Sequence, residues 1–181
     1  ALLTGNIGKA GTGICDAGGV TQMAKFGSAF PPPPNKPKKV APIPTAKLGE
    51  YVLAGKPNKI NFWYTQTCGI VGQWPNANKV IEAVKSVPFF VVAESVMTPT
   101  ARYADILLPA TTVFEYDSVM AGARNHYIQL IEKAVEPQGE AKPDYWIMGQ
   151  LAKRMGFGEA FNIPVEQLIK NVLKPSGITY E

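Results

Sequence analysis

The sequence predicts an α/β fold of three layers with a mainly parallel sheet, preceded by a Gly/Pro-rich N-terminal arm. Three observations predict it. Apolar runs at 60–64 and 89–93 lie about 29 residues apart with a helical pattern between them, the length of a right-handed parallel βαβ crossover. A third apolar run, 105–108, follows after a short helical segment. Sixteen prolines and seventeen glycines are present, and the prolines cluster ahead of the first run.

Taken in order, residues 1–30 are Gly-rich and aperiodic, with Gly5, Gly8, Gly11, Gly13, Gly18 and Gly19. Such a backbone adopts unusual dihedrals or approaches a ligand closely; the other reading is a flexible loop whose partner domain is absent. Pro31–Pro34, Pro37, Pro42 and Pro44 impose extended or polyproline geometry. A short helix over 45–53, with Thr45 as N-cap, completes an arm and linker spanning 1–58. The α/β domain occupies 59–181. Its first strand is 60–64, followed by a turn over 65–73 with Gly69 and Gly72. Pro75-Asn76 opens a helix through 86 that buries Val80, Ile81 and Val84. Strand 89–93, a helix over 98–103 with Thr98 as N-cap and Pro99 at N1, and strand 105–108 complete a Rossmann-like core. A loop over 111–125 leads to a fourth strand at 127–131. A helix over 144–155 places Trp146, Ile147, Leu151 and Met155 on one face, with Gly156 as its cap. The last helix runs over 164–173 with Pro164 at N1.

With 181 residues and 46% hydrophobic content, the chain can bury a sizeable core. The net charge is +4 and the pI about 9.0. Lys36, Lys38 and Lys39 are read as solvated linker charge, and no aromatic platform accompanies basic residues, so nucleic acid is not an expected partner. No apolar run approaches the ~20 residues of a membrane span and no signal peptide is legible, so direct membrane insertion is not expected and localisation is unreadable. Cys15 and Cys68 form no Cys-x-x-Cys, and His126 is the single histidine. A zinc or iron–sulfur site takes about four ligands, so no metal-ligating residue is assigned.

Function concentrates at the carboxyl ends of the three parallel strands, where loops 65–69, 94–98 and 109–116 converge. This is where open α/β sheets hold ligands with phosphates and ribose hydroxyls. Glu94 ends a strand and offers a carboxylate acceptor, or is a solvated acid. Thr98 caps the following helix and also lies near any ligand. Cys68 reads as an inert, partly buried thiol. Asp144 is a ligand acceptor or the N-cap of its helix. Asp105, Arg102 and Tyr103 are assigned to packing, and His126 to a structural role.

The stretch Met97-Thr98-Pro99-Thr100-Ala101-Arg102-Tyr103-Ala104-Asp105-Ile106-Leu107-Leu108-Pro109 resembles the molybdopterin oxidoreductases of the dimethyl sulfoxide reductase family. Thr4-Gly5-Asn6-Ile7-Gly8 and Glu140-Ala141-Lys142-Pro143-Asp144 are similar to two further family segments, in family order. The resemblance implies an interior, cofactor-binding portion of an anaerobic-respiration enzyme carrying molybdenum-bis(molybdopterin guanine dinucleotide). Its implied reaction type is that of the dimethyl sulfoxide/trimethylamine N-oxide or polysulfide/thiosulfate reductases, with the fragment alone inactive and no catalytic residue within it. On this resemblance the cofactor contacts are Ala93, through its backbone, Glu94, Thr98, Thr67, Cys68, Gly69, Tyr116, Asp144, and Gly18 and Gly19 in the crossing. Relatives often carry Asn in the first loop, where this chain has Thr67-Cys68-Gly69, and some carry Lys at the position of Tyr116. The resemblance further implies, as partners, the remaining domains of a catalytic subunit, an iron–sulfur electron-transfer subunit and a membrane anchor subunit. Any iron–sulfur cluster lies outside this stretch, and the setting is bacterial, periplasmic or membrane-associated, with the cytoplasm as the other option. Two readings from other classes stand beside it: a stand-alone nucleotide-binding α/β protein and a non-catalytic interaction domain.

Overall fold

The computed structural model describes Leu3, Gly5 and residues 27–32, 41–121 and 128–180. Gly18, Gly19, Cys15 and His126 lie outside the described residues. The chain divides into two compact units, Pro33–Tyr116 with Lys133–Phe161, and Ala1–Pro32 with Asp117–Glu132 and Asn162–Glu181.

The first unit is built on β1 (Trp63–Gln66), β2 (Phe90–Glu94) and β3 (Ile106–Pro109), all parallel in the order β1-β2-β3. Trp63 pairs with Phe90 and Gln66 with Ala93; Val91 pairs with Ile106 and Glu94 with Pro109. Strand alternation sends Phe90 and Val92 to one face. There they meet Leu48 and Val52 of α1 (Leu48–Leu53) and Val80, Ala83 and Val84 of α3 (Ala77–Ser86). Ala93 faces the other way and packs with Ala110 and with Ile147 of α4 (Asp144–Arg154). The three layers are therefore helices, sheet and helix, as expected.

Several boundaries differ from the sequence reading. β1 starts three residues late because its ladder to β2 begins where the Trp63 amide donates to the Phe89 carbonyl (2.9 Å); Phe62 stays exposed, its ring 5.7 Å from that of Phe89. β2 and β3 each start one residue late, because Asp105 does local work. Its carboxylate accepts from the Phe90 amide (2.7 Å) and its amide donates to the Phe90 carbonyl (2.8 Å). The expected turn over 65–73 holds a four-residue helix, α2 (Ile70–Gln73), since Ile70 and Val71 are apolar enough to be drawn into the core. The wholly buried Thr100 hydroxyl accepts from the Val71 amide (3.1 Å). Residue 98 onward gives only a 3-10 turn, Ala101–Tyr103. Thr45 is not an N-cap: it lies inside a 3-10 turn, Thr45–Lys47, with Pro44 ahead of it and no side-chain capping bond.

On α4 the buried residues are Ile147 and Ala152, while Trp146, Leu151 and Met155 are exposed. The chain beyond Gly156, which takes φ +87° as the expected cap, folds back through the 3-10 turn Gly158–Phe161. Phe161 then lies against Gly149 and Gly158 against Lys153, which covers the Ala152 side and turns the Leu151–Met155 stripe outward.

In the second unit the expected fourth strand is present as β5 (Ile128–Ile131), but it does not join the parallel sheet. It pairs antiparallel with β4 (Ser118–Ala121), inside the expected loop over 111–125. α5 (Val165–Leu173) buries Leu168, Ile169 and Leu173, with Pro164 one position before its first residue. The Asn171 amide donates to the Ala29 carbonyl (3.0 Å), and the Gly27 amide to the Val172 carbonyl (2.8 Å).

Three features of the first unit carry stability predictions. A Cβ on Gly49 would sit 2.9 Å from the carbonyl of Lys79, so α1 and α3 touch backbone to backbone. Gly49→Ala is expected to destabilise by about 1–2 kcal/mol in chemical denaturation, overpacking outweighing a helix-propensity gain of about 1 kcal/mol. Thr67 has φ +49°, where a β-branched side chain is strained and Asn is tolerated. Thr67→Asn is expected to stabilise by about 0.5–1 kcal/mol in the same assay. The Glu115 carboxylate accepts from the amides of Thr112 (2.6 Å) and Gln138 (2.9 Å) and from the Thr112 hydroxyl (2.9 Å). The two amide bonds, Thr112 first, hold its pKa below the usual 4.5. A depressed carboxylate stabilises above its unfolded pKa and loses that contribution as pH falls through the folded one. Thermal melts should therefore show Glu115→Gln with a lower Tm at neutral pH and a smaller loss of Tm on acidification.

Candidate nucleotide site

The carboxyl ends of β1, β2 and β3 are drawn together with the start of α4 by a short bridge. The Lys142 amide donates to the Pro109 carbonyl (3.1 Å) and the Thr111 amide to the Lys142 carbonyl (3.2 Å). Ala110 and Lys142 thus form an isolated parallel bridge that extends the sheet edge by one residue. Two residues later α4 begins, which sets Asp144 beside the strand ends.

Asp144 is not an N-cap. Pro143 holds that position, with φ −60° and ψ 145°, and its carbonyl accepts from the Trp146 and Ile147 amides. The Asp144 side chain is left free of capping work and turns into the site, where its Oδ1 is buried without a hydrogen-bond partner. Its pKa is raised above the usual 3.8, first by burial; the Gln66 side-chain hydrogen bond opposes this, and the charge of Glu94 adds to it. Burial, then the Asp144 charge, raises the phenols of both Tyr64 and Tyr116 above 10.0. Asp144, Glu94, Gln66, Tyr64 and Tyr116 are therefore one electrostatic cluster.

The remaining predicted residues fall around it. Glu94 is half-buried at the end of β2, one oxygen accepting from the Ser95 amide (3.0 Å). Thr98 is not the N-cap, a position Thr100 takes in the 3-10 turn Ala101–Tyr103, but its hydroxyl accepts from the Ala101 amide (3.1 Å). Thr67 is exposed and its amide donates to the Ala93 carbonyl (3.1 Å). Ala93 itself is 0% exposed, so it shapes the strand and offers a ligand no surface. Cys68 is a free, half-buried thiol that packs on the main core. The Gly69 carbonyl accepts from the Gly72 and Gln73 amides (both 2.9 Å), which anchors α2. Tyr116 joins the site.

Tyr64, Gln66 and Thr111 were not singled out from the sequence. Placing the first strand at 60–64 puts Gln66 in a turn, and the available signal was the Tyr-x-Gln alternation that keeps 64 and 66 on one strand face. The buried Thr111 hydroxyl also lacks a partner. Together these groups form an acceptor-rich strand edge with two carboxylates, where the Tyr64 hydroxyl already donates to Gln66 Oε1 (3.0 Å). It suits a ligand that presents several N–H or O–H donors.

A family model described as molybdopterin oxidoreductase matches residues 1–154. A Bacillus subtilis protein named "Probable oxidoreductase YyaE" is 46% identical over 106 residues, covering 58% of this chain and 16% of that protein. The F420-dependent formate dehydrogenase subunit alpha of Methanocaldococcus jannaschii is 32% identical over 202 aligned residues, covering 100% of this chain and 30% of the relative. Among solved structures, acetylene hydratase from Pelobacter acetylenicus superposes with a TM-score of 0.63 at 26% identity, over 74% of this chain and 19% of that one. The chain spans less than a third of the length of each. With the parallel sheet and its acid-lined edge, the match over residues 1–154 establishes that the chain belongs to the molybdopterin oxidoreductase family.

Proposed function

We propose that this chain binds the guanine dinucleotide arm of a molybdenum-bis(molybdopterin guanine dinucleotide) cofactor, as an interior portion of a larger anaerobic oxidoreductase. The observation that carries the reading is the buried, unpartnered Oδ1 of Asp144 at the carboxyl edge of a parallel sheet. Guanine presents N1–H and an exocyclic amine side by side, and an ionised carboxylate accepts from both. Glu94 provides a second acceptor for ribose hydroxyls or the same base edge. The Thr111 hydroxyl has unused hydrogen-bonding capacity in the same strand-end loop. The donor and acceptor set thus fits the group. When bound, the cofactor supplies the two-electron redox chemistry at molybdenum; these residues bind and orient its nucleotide end.

The reductase reading, for dimethyl sulfoxide, trimethylamine N-oxide, polysulfide or thiosulfate, follows from the motif resemblance around Thr98–Pro109. A second reading, formate oxidation, is favoured by the formate dehydrogenase relative that aligns with the whole chain. Either reaction calls for further domains of the same subunit, with iron–sulfur and membrane-anchoring subunits as partners in a bacterial respiratory setting.

GMP titration followed by amide chemical shifts tests the binding reading. Saturable shifts at 94–98, 111 and 144 are expected, and their absence counts against an intrinsic site. Asp144→Asn should weaken GMP binding roughly tenfold to hundredfold, the loss of a charge-assisted pair. The carboxylate must be ionised to accept, and its pKa is raised. Affinity should therefore decline on acidification from a higher pH than an ordinary Asp would give. In the full-length enzyme, Glu94→Ala is expected to lower cofactor content.

A further inference from the structure

We infer that Glu115 is a positioning residue for the nucleotide site, its buried carboxylate closing a ring of hydrogen bonds that fixes Thr111, Tyr116 and Asp144 relative to one another. The role rests on the reading of that strand edge as a guanine nucleotide site; the ring itself does not.

Two segments meet at that edge, 109–116 from the end of β3 and 133–144 leading into α4, and the ring runs through both. The Lys142 amide donates to the Pro109 carbonyl (3.1 Å) and the Thr111 amide to the Lys142 carbonyl (3.2 Å). One residue on, the Thr112 amide and hydroxyl both donate to Glu115 Oε2 (2.6 and 2.9 Å). The other oxygen, Oε1, accepts from the Gln138 amide (2.9 Å), 23 residues away in sequence. The Gln138 carbonyl accepts from the Ala141 amide (3.1 Å) across a turn in which Gly139 takes φ +56°. The chain then re-enters the bridge at Lys142, and the ring is closed. One carboxylate oxygen thus serves each segment. The backbone adds a second link, the Phe114 carbonyl accepting from the Ala134 (2.9 Å) and Val135 (3.1 Å) amides.

A carboxylate that is only 6% exposed is costly unless donors replace its water, and two amides and a hydroxyl do so here. A side chain serving the 3-10 turn Val113–Glu115 alone would need only the Thr112 donors. The Gln138 bond reaches outside the turn. Glu115 belongs to neither apolar cluster of the first unit, so its loss loosens the edge and leaves the core contacts in place. What the ring holds are the groups of the site. Thr111, with its buried unpartnered hydroxyl, precedes Thr112; Tyr116 follows Glu115; Asp144 lies two residues past Lys142. Polar groups that recognise a ligand need to be held to within about 0.5 Å by such supporting bonds.

The test measures GMP affinity and amide hydrogen exchange in this chain for the wild type, Glu115→Gln, Glu115→Asp and, as a stability control in α1, Gly49→Ala. Glutamine can accept from one amide only and turns its NH2 on the other; aspartate keeps the charge and loses the reach across both segments. Each should weaken GMP binding roughly tenfold. For Glu115→Gln that loss runs against plain electrostatics, since removing a negative charge favours a phosphate-bearing ligand. Exchange should quicken at the Thr111, Thr112, Gln138 and Lys142 amides while β2 keeps its protection, and Gly49→Ala should bind GMP as the wild type does. Wild-type affinity in both folded Glu115 variants, or an equal loss in Gly49→Ala, overturns the role. If neither Glu115 variant folds, Thr112→Ala, which removes one donor, decides it by the same two readouts. A wild type that binds no GMP overturns the nucleotide reading and the positioning role with it, while quickened exchange confined to those four amides would still support the ring.

Discussion

Strand β2 has to satisfy hydrogen bonds along both edges and bury side chains on both faces, and the rest of the first unit is arranged around that requirement. Phe90, Val91, Val92 and Ala93 are all at most 8% exposed. A parallel strand so enclosed reads as a continuous apolar run, and both neighbouring strands must arrive through crossovers. The run ends abruptly in Glu94 because the sheet ends there. Residues just past the carboxyl end of each strand are released from the core, and unlike chemical groups can gather at that edge.

The two faces of β2 are not equivalent, and the difference bears on function. The α1/α3 face carries large residues, with Phe90 and Trp63 edge to face at 5.7 Å. The α4 face has the small pair Ala93 and Ala110 beneath Ile147. Small residues let α4 approach the sheet closely. Together with the Ala110–Lys142 bridge, that approach brings the Asp144 end of the helix into the field of Glu94. Packing on one face thus sets the electrostatics at the edge.

Much of this was legible from residues alone. The βαβ spacing, Glu94 at a strand end and the Asp105 packing role follow from local patterns that tertiary structure reinforces. Periodicity misplaced β1 by three residues because Ile60-Asn61-Phe62 is as apolar as the true strand; only the register with β2 distinguishes them. The same shift hid Gln66. β4 escaped because Ser118-Val119-Met120-Ala121 lacks a strong alternation. On α4, Ile147, Leu151 and Met155 fall within one helical face, yet Ile147 and Ala152 are the residues buried. The segment at 157–161 covers a different side, and nothing local to the helix specifies that choice. Thr67 is a different case: its strained φ cannot be read from Thr-Cys-Gly, since Gly69 is the residue suited to such a backbone and it takes φ −79° instead.

Asp144 reads from sequence as a helix cap or a ligand acceptor, and the geometry removes the cap. A capping carboxylate is paired with backbone amides at its own helix start, which lowers its pKa. Here Pro143 takes the N-cap position, the side chain turns away, and burial raises the pKa instead. A half-buried carboxyl with one empty acceptor and a like charge nearby opposes folding at neutral pH, and its contribution improves only as pH falls through the raised value. Nothing in the fold requires such a group; an apolar residue at the start of α4 would leave the Ala93–Ala110–Ile147 contact intact. Local instability retained at the open end of a parallel sheet, and eased by donors a ligand brings, is what the proposed acceptor role of Asp144 accounts for.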